Sequence, residues 1–258
     1  MKTIPFLLVL LILFCSHTNA QSIFIPDVAF RTYLQTQYPS SMEGNQLHTT
    51  QEIQSVTYLN LNSMDLHDLT GIVLFSNLKT LECRNNHLTT FSALPSTLKT
   101  LYSDHNELTN LHCLSASSIA TFTCMNNRIQ QLEGLPSSLL HLNCSNNPIT
   151  LLDVLPPLLT VFYCNYTDIT IFPTLPESLY SLSATHNKLV ALSGFPANLH
   201  CIDVCNNKIA CIPPLPERLL QLNCDSNELF LLPELPSTLQ DLSCAANHFS
   251  SYQSYLLT

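Results

Sequence analysis

The sequence predicts a mostly β solenoid of the α/β class. The expected shape is a right-handed superhelix with a parallel sheet on its concave side, an extended convex side and a small helical N-terminal cap. Apolar residues recur at intervals of 20 residues over most of the chain, and asparagine and cysteine share that interval. Leucine–proline pairs recur with them and exclude long helices. We assign residues 1–20 to an export signal, 21–55 to the cap and 56–258 to about ten repeats.

The composition excludes several classes of function. The chain has 258 residues, of which 10% are charged, and its net charge is −9. Such a surface repels phosphate backbones, so we predict no nucleic-acid partner. The four glycines are isolated from one another, and no zinc-protease or nucleophile-elbow motif occurs. We therefore predict no catalytic residue, no metal and no cofactor, and a protein that is not an enzyme.

Residues 1–20 have the three parts of a secretory signal peptide. Lys2 supplies the positive start, residues 6–14 are apolar throughout, and short residues follow at 18–20. The apolar stretch is too short to cross a hydrocarbon core of ~30 Å, so we predict no transmembrane segment. A lipid-anchored form at Cys15 is disfavoured by the bulky residue before it. We expect cleavage near Ala20 and a protein that is secreted or held at the cell surface.

Residues 21–55 predict the cap that a solenoid needs over its first coil. An amphipathic helix is expected over residues 26–37, with Asp27 near its start. A second short helix is expected around residues 49–50, with Glu52 close by as in a capping box. The apolar face of the first helix contains Phe30, Tyr33 and Leu34.

The repeat is counted from an apolar residue at position 1. Positions 4, 11 and 14 are also apolar in every unit, and positions 3 to 7 alternate. We therefore expect positions 3 to 7 to form a short strand with positions 4 and 6 inward, and the stacked strands to form a parallel sheet at ~4.8 Å spacing. Position 1 is occupied by Val56, Leu78, Leu98, Ile119, Leu139, Leu159, Leu179, Leu199, Leu219 and Leu239.

Position 9 is asparagine in eight of ten units. An inward amide can donate to and accept from the turns above and below it, which satisfies buried backbone groups. Met64 and Thr167 are the exceptions, and we expect a local weak point at Thr167. The predicted asparagine ladder consists of Asn86, Asn106, Asn127, Asn147, Asn187, Asn207, Asn227 and Asn247.

Cysteine is the commonest residue at position 6, where a thiol acts as a small buried hydrophobe. Parallel side-chain directions disfavour good disulfide torsions, so we predict reduced, stacked thiols. These are Cys83, Cys124, Cys144, Cys164, Cys224 and Cys244. Four cysteines outside this ladder are better candidates for pairing or reactivity, and their redox state stays open: Cys113, Cys201, Cys205 and Cys211.

Leucine–proline or phenylalanine–proline pairs occupy positions 17 and 18 in seven units, and Ser115 stands in place of the proline in another unit. Proline there disfavours a convex helix and favours extended or polyproline-like backbone. Extended segments stack almost as closely as strands, so the two walls should be similar in length and the solenoid should curve gently.

The pattern L-x-x-L-x-C-x-x-N-x-L-x-x-L over residues 56–252 resembles the leucine-rich repeat family. The 20-residue unit is similar to the short repeats of bacterial effectors and of exported bacterial surface proteins. Residues 25–30 are similar to the leader of exported Bacteroidetes-type repeat proteins. The resemblance implies an exported, non-catalytic binding module whose concave surface docks a protein or a glycan.

The concave surface is defined here as the solvent-facing side of positions 3, 5, 7 and 8. We take these side chains to be free of any folding role and therefore available for recognition. Aromatic side chains are common anchors at interfaces, so the candidate contact residues are Tyr102, His141, Tyr163, Tyr166 and His186. One alternative is a structural or adhesive surface protein that self-associates end to end through its last coil. A weaker alternative is the recognition part of a larger bacterial effector.

Three further motifs are assigned no function. Cys201-Ile202-Asp203 matches the C-x-D string of effector ubiquitin ligases, but there the string lies in a separate helical domain, whereas here it falls on a predicted strand. His105 and His186 are four units apart, about 19 Å at strand spacing, and cannot share a metal ion. Asn143 and Asn165 begin glycosylation sequons, which a bacterial protein would leave unused.

Overall fold

A computed structural model describes residues 21–249 of the chain. The export signal assigned to residues 1–20 and the last segment, residues 250–258, lie outside the described residues. In the described part, the α-helices are α1 (Val28–Gln37) and α2 (Gln51–Gln54), and 3-10 helices span Pro39–Ser41, Ile72–Leu74 and His112–Leu114. No helix among residues 21–249 combines the length and the apolar character that crossing a membrane requires.

The strands fall into two sheets. The N-terminal sheet contains β1 (Ser22–Phe24), β2 (Met42–Glu43) and β3 (Gln46–His48). The solenoid sheet contains β4 (Tyr58–Asn60), β5 (Thr80–Glu82), β6 (Thr100–Tyr102), β7 (Thr121–Thr123), β8 (His141–Asn143), β9 (Val161–Tyr163), β10 (Ser181–Ser183), β11 (Cys201–Asp203), β12 (Gln221–Asn223) and β13 (Asp241–Ser243).

Both helices predicted for the cap are present. Helix α1 begins at Val28 because Asp27 caps it, accepting the N–H of Phe30 at 2.8 Å. Helix α2 follows Thr50, whose hydroxyl accepts the N–H of Ile53 at 3.4 Å. The antiparallel sheet β1-β3-β2 was not predicted. Its strands are two or three residues long, which leaves too little alternation to detect in the sequence.

The cap is tied to the first coil by Asp27. Its second carboxylate oxygen accepts the N–H groups of His67 and Asp68 at 2.8 and 3.2 Å. Phe30 and Leu34 on α1 are fully buried in the same apolar core as Leu59 of the first coil. The apolar end of the solenoid is therefore covered at this side, as the stability of a stacked repeat requires.

The ten strands of the solenoid sheet lie in chain order, and every neighbouring pair is parallel. The register advances by one repeat per strand, so Leu142 pairs with Phe162 and Phe162 with Leu182. Positions 4 and 6 point inward as predicted, and Leu142 and Cys144 are buried. Each strand covers positions 3 to 5 rather than the expected 3 to 7.

The strands are short because the backbone turns left-handed at position 8. All ten residues there have φ between +52° and +57°. This conformation swings the next residue into the interior, which is why position 9 must satisfy buried backbone groups. The residues concerned are Ser63, Asn85, His105, Asn126, Asn146, Tyr166, His186, Asn206, Ser226 and Ala246.

The asparagine ladder is present, and Asn147 shows its hydrogen bonds. Its amide nitrogen donates to the carbonyl of Cys124 at 2.8 Å and to that of Cys144 at 3.0 Å. Its amide oxygen accepts the N–H of Ile129 at 3.0 Å. The amide thus bonds to its own turn and to the preceding coil only, and not to the turns on both sides as expected. Each coil is hydrogen-bonded by its asparagine to the coil before it.

Thr167 breaks this ladder between the fifth and sixth coils. Its hydroxyl lies 3.1 Å from the carbonyl of Cys164 and also contacts the amide oxygen of Asn187. It offers no acceptor to Ile149, whose N–H bonds instead to the carbonyl of Asn147 at 2.8 Å within its own coil. The hydrogen bonds that an asparagine makes to the preceding coil are therefore missing here, which agrees with the predicted weak point.

The convex wall follows the distribution of proline. In units with the proline pair the convex segment contains no helix, and the proline carbonyl begins a turn, as in the 3.1 Å bond from the N–H of Leu159 to Pro156. Among residues 56–249, the 3-10 helices at 72–74 and 112–114 both fall in units that lack the pair. In the described units, proline therefore coincides with a convex wall without helices, as the sequence predicts.

Replacing Thr167 with Asn should stabilise the solenoid. The new amide can donate to the carbonyl of Cys144 and accept the N–H of Ile149, and a net gain of about 1 kcal/mol in the free energy of unfolding is expected. Denaturant unfolding measures it, and Ile149 should show slower amide exchange. The matched change Asn147→Thr removes the same hydrogen bonds one coil earlier and should lower the stability of the solenoid. A neutral or destabilising Thr167→Asn would contradict the assignment.

Candidate binding surface

The concave surface is shaped by side chains on alternate strand positions. Over strands β9 to β13 it forms an open depression of about 650 Å³. Its floor contains half-buried polar groups, including Tyr163, Asn165, Asp203 and Asn223. A depression of this size, lined with both polar and apolar atoms, can receive part of a macromolecule or a small ligand.

Position 7 side chains have a folding role, so the expectation that they are free is wrong. The Oδ1 atoms of Asp104, Asn165 and Asp225 accept the position 7 N–H of the next coil, at 2.8, 2.8 and 2.6 Å. That N–H points toward the preceding coil, where the carbonyl of position 6 already accepts from a ladder asparagine. A side-chain acceptor at position 7 supplies the missing partner.

Hydroxyl groups at position 5 complete these contacts. Ser183 donates to Oδ1 of Asn165 at 2.8 Å, and Ser243 donates to Oδ2 of Asp225 at 2.7 Å. Thr123 donates to Oδ2 of Asp104 at 2.8 Å. The three clusters fix side chains across neighbouring coils, so much of the concave surface is rigid before any ligand arrives.

Arg84 extends the first of these clusters. Its guanidinium donates to Glu82 at 2.9 Å and to Asp104 at 3.0 Å, and it lies 4.1 Å from the ring centroid of Tyr102. Tyr102 is half-buried at position 5. This candidate contact residue is therefore already engaged by a cation within the molecule.

The five candidate contact residues do not form one cluster. Tyr166 and His186 stack on each other with ring centroids 4.2 Å apart, at the edge where the strands end, and Tyr166 is 54% exposed. Tyr163, at position 5 of the same coil as Tyr166, lines the depression. His141 is exposed at the opposite edge, where the strands begin. Of the five residues, the structure thus brings Tyr166 and His186 into contact.

A second stacked pair was not predicted from the sequence. Tyr180 and His200, both at position 2, have ring centroids 4.3 Å apart and an interplanar angle of 22°. They line a groove with His141 and Arg218. The signal was present, because two aromatic side chains 20 residues apart occupy the same place on adjacent coils. It was overlooked because position 2 precedes the strand.

The cysteine ladder is buried except at Cys244, which is half-buried, and all ten described cysteines are unpaired. The thiol of Cys144 donates to the carbonyl of Tyr163 at 3.5 Å, and that of Cys224 to Ser243 at 3.4 Å. Ser103 makes the same bond to Thr123 at 3.0 Å. Where position 6 is cysteine or serine, its small side chain can thus also donate to the next coil.

Burial controls the chemistry of these thiols. Desolvation raises the pKa of Cys224 to about 12 and raises the pKa of Cys144 as well. Cys201 and Cys205 are half-buried on the concave surface, and desolvation also raises the pKa of each. Cys211 is exposed on the outer wall. Among residues 21–249, no three His, Cys, Asp or Glu side chains are arranged to hold a metal ion.

Comparison with solved structures finds leucine-rich repeat proteins. YopM from Yersinia enterocolitica matches 75% of this chain at 30% identity with a TM-score of 0.70. YopM from Yersinia pestis, described as a leucine-rich effector protein, matches 75% at 32% identity with a TM-score of 0.66. The functional domain of InlJ from Listeria monocytogenes, which includes a cysteine ladder, matches 90% at 23% identity with a TM-score of 0.72. The predicted leucine-rich repeat fold is confirmed.

These similarities cover only part of the other proteins. The chain spans 43% and 62% of the two YopM chains and 54% of the InlJ chain. No protein-family model and no curated protein sequence matches it. The similarity therefore supports the fold and the repeat type.

Thiol labelling in the folded protein should follow burial. Cys211 is exposed and should be alkylated first at pH 8, whereas Cys224, with a pKa of about 12, holds roughly a thousandfold less thiolate than an ordinary cysteine. Mass mapping of the alkylated sites tests this, with denatured protein as the control in which all ten react. Labelling of Cys144 as fast as Cys211 would contradict a buried ladder.

Asp104→Ala should destabilise the protein by about 2–3 kcal/mol, because it removes the acceptor of the Met125 N–H and of Arg84. The Asp104→Asn variant keeps one acceptor oxygen and should therefore lose less stability. Denaturant midpoints measure both. A change of less than about 0.5 kcal/mol for Asp104→Ala, as at an ordinary surface position, would show that position 7 has no folding role.

Proposed function

We propose that this leucine-rich repeat solenoid is an exported, non-catalytic binding module that docks a protein or a glycan on its concave surface. The observation that carries the proposal is a fixed network of polar side chains beside an exposed aromatic pair. Asp104, Asn165 and Asp225 are held by hydrogen bonds across coils. Tyr166 and His186 stack beside them at the surface edge.

Such a surface is suited to recognition for two reasons. Side chains that are already fixed lose little conformational freedom when a ligand binds, which favours affinity. Tyrosine anchors bury a large area and can also form a hydrogen bond, so a few of them dominate many interfaces. Tyr163, which lines the depression over strands β9 to β13, and the exposed Tyr166 on the same coil provide this combination.

Export is proposed from the sequence of residues 1–20, which has the order of charge, apolar stretch and short residues typical of a signal peptide. The buried cysteines agree with an oxidising destination, since thiols held inside the coils are not accessible to pairing. We therefore place the protein outside the cell or at its surface.

The absence of catalysis is also part of the proposal. The acidic groups most fixed on the concave surface already accept two or three hydrogen bonds each, as Asp104 does from Arg84, Thr123 and Met125. Desolvation raises the pKa of Cys201 and Cys205, the half-buried thiols there, which disfavours thiolate nucleophiles. No cofactor is proposed.

A second candidate function is a structural or adhesive module that self-associates end to end. Within residues 21–249, strand β13 is hydrogen-bonded to β12 on one side only. Leu239 and Leu242 of this coil are half-buried, whereas Leu222 of the coil before is 2% exposed. A strand edge with partly exposed leucines beside it is a surface on which a second copy could stack.

The double change Tyr163→Ala and Tyr166→Ala separates the two candidates. Under the docking proposal it should weaken binding of an isolated partner by about tenfold or more, with self-association unchanged in sedimentation. The matched control is Tyr58→Ala, which removes an equally exposed tyrosine from the first coil and should leave affinity within about twofold. Unchanged partner binding in the double variant would refute docking through this pair, and loss of assembly would support the structural role.

A further inference from the structure

A groove of about 480 Å³ lies at the edge of the sheet where the strands begin. Its volume is within the usual range of small-ligand sites. It is lined by His141, Thr160, Val161, Ser178, Tyr180, Asn198, His200 and Arg218. The groove is distinct from the depression over β9 to β13, and of the proposed contact residues only His141 borders it.

The groove contains an aromatic platform with one open face. Tyr180 and His200 stack with centroids 4.3 Å apart, close to the spacing of ~4.8 Å between strands, so the stack runs along the solenoid axis. The preceding coil has the small Thr160 at the same position, and the coil before that has Leu140. A notch one coil wide therefore lies between Leu140 and the free face of Tyr180, which is 47% exposed.

The polar groups beside the notch are arranged to accept hydrogen bonds. The hydroxyl of Thr160 donates to the carbonyl of Leu140 at 2.9 Å, and that of Ser178 lies 2.8 Å from the carbonyl of Leu159. Since each hydroxyl has a single proton, both oxygens remain as acceptors toward the groove. A ligand rich in hydroxyl groups can donate hydrogen bonds to these two oxygens.

The far end of the groove has an unpaired cation. Arg218 donates to the neutral amide oxygen of Asn198 at 3.2 Å, and no carboxylate of residues 21–249 lies within 4.0 Å of its guanidinium. Arg84 and Arg128, in contrast, both pair with carboxylates. In a chain with a net charge of −9, a guanidinium without an acidic partner favours an anionic ligand, and its geometry suits a carboxylate.

We propose that this groove binds an acidic oligosaccharide. One sugar ring enters the notch over Thr160 and packs its C–H groups on the face of Tyr180, while a uronic-type carboxylate pairs with Arg218. The two ends are about three coils apart, roughly 14 Å at strand spacing, which requires several linked rings. The inference goes beyond the proposed docking on the concave surface and does not depend on it.

An acidic peptide is the competing ligand, and the structure favours a sugar. A peptide can supply the carboxylate, but its aspartate and glutamate side chains have no ring to fill a notch one coil wide. They also have no hydroxyl donors for Thr160 and Ser178. The combination of a stacking face, hydroxyl acceptors and one cation is matched by a sugar acid.

Calorimetric titration of the mature chain, residues 21–258, tests the proposal. The probes are tetrasaccharides of galacturonic, mannuronic and glucuronic acid type, their carboxyl-reduced neutral counterparts, and a tetraglutamate peptide. At least one acidic tetrasaccharide should bind, and its neutral counterpart and the peptide should bind at least about tenfold more weakly. Tyr180→Ala and Arg218→Gln should each lower that affinity about tenfold.

The controls keep this inference separate from the concave surface. Tyr58→Ala and the double change at Tyr163 and Tyr166 should leave oligosaccharide binding unchanged, whatever they do to a docked partner. Failure of every acidic tetrasaccharide to bind would overturn the proposal. So would equal affinity for the neutral counterpart, and tighter binding of tetraglutamate would identify an acidic-peptide site instead. Circular dichroism confirms that each variant is folded.

Discussion

The structure depends on one set of hydrogen bonds, those between buried asparagine amides and the backbone of adjacent turns. Each coil turns left-handed at position 8, which brings polar backbone groups into an apolar interior. The amide of Asn147 satisfies two carbonyls and one N–H, and the other ladder residues repeat the arrangement except Asn187, whose amide oxygen accepts from Thr167. Because every amide bonds to the coil before it, the coils form a directional stack that begins at the cap.

The polar network of the concave surface is a consequence of the same turn. After each strand, successive backbone N–H groups point alternately to the following and to the preceding coil. The N–H groups at position 7 point to the preceding coil and need acceptors there. Asp104, Asn165 and Asp225 provide them, and hydroxyls of the next coil hold the same side chains in place. Polar residues that stabilise the stack thus also form the hydrogen-bonded floor of the concave surface. The aromatic pairs Tyr166–His186 and Tyr180–His200 stand at the two edges of that floor.

The repeat made most of the fold predictable. The 20-residue interval located the strands, the ladder, the buried cysteines and the weak point at Thr167, because each depends on a residue type at a fixed place. The left-handed residue was not predicted, since Tyr166, His186 and Ala246 occupy it as well as asparagine, and only the backbone shows what they share. The roles of position 7 and the groove at Tyr180 depend on contacts between coils, which no single repeat contains. The N-terminal sheet lies outside the repeat altogether.

Amide hydrogen exchange in the Asn147→Ala variant measures whether a ladder asparagine holds its coil to the coil before it. The largest loss of protection is expected in the preceding coil, at Ile129, whose N–H bonds to the lost amide oxygen. The following coil, including Ile169, should change far less. A loss spread evenly over all coils, or one greatest at Ile169, would contradict a stack in which each coil is held by its asparagine to the coil before it.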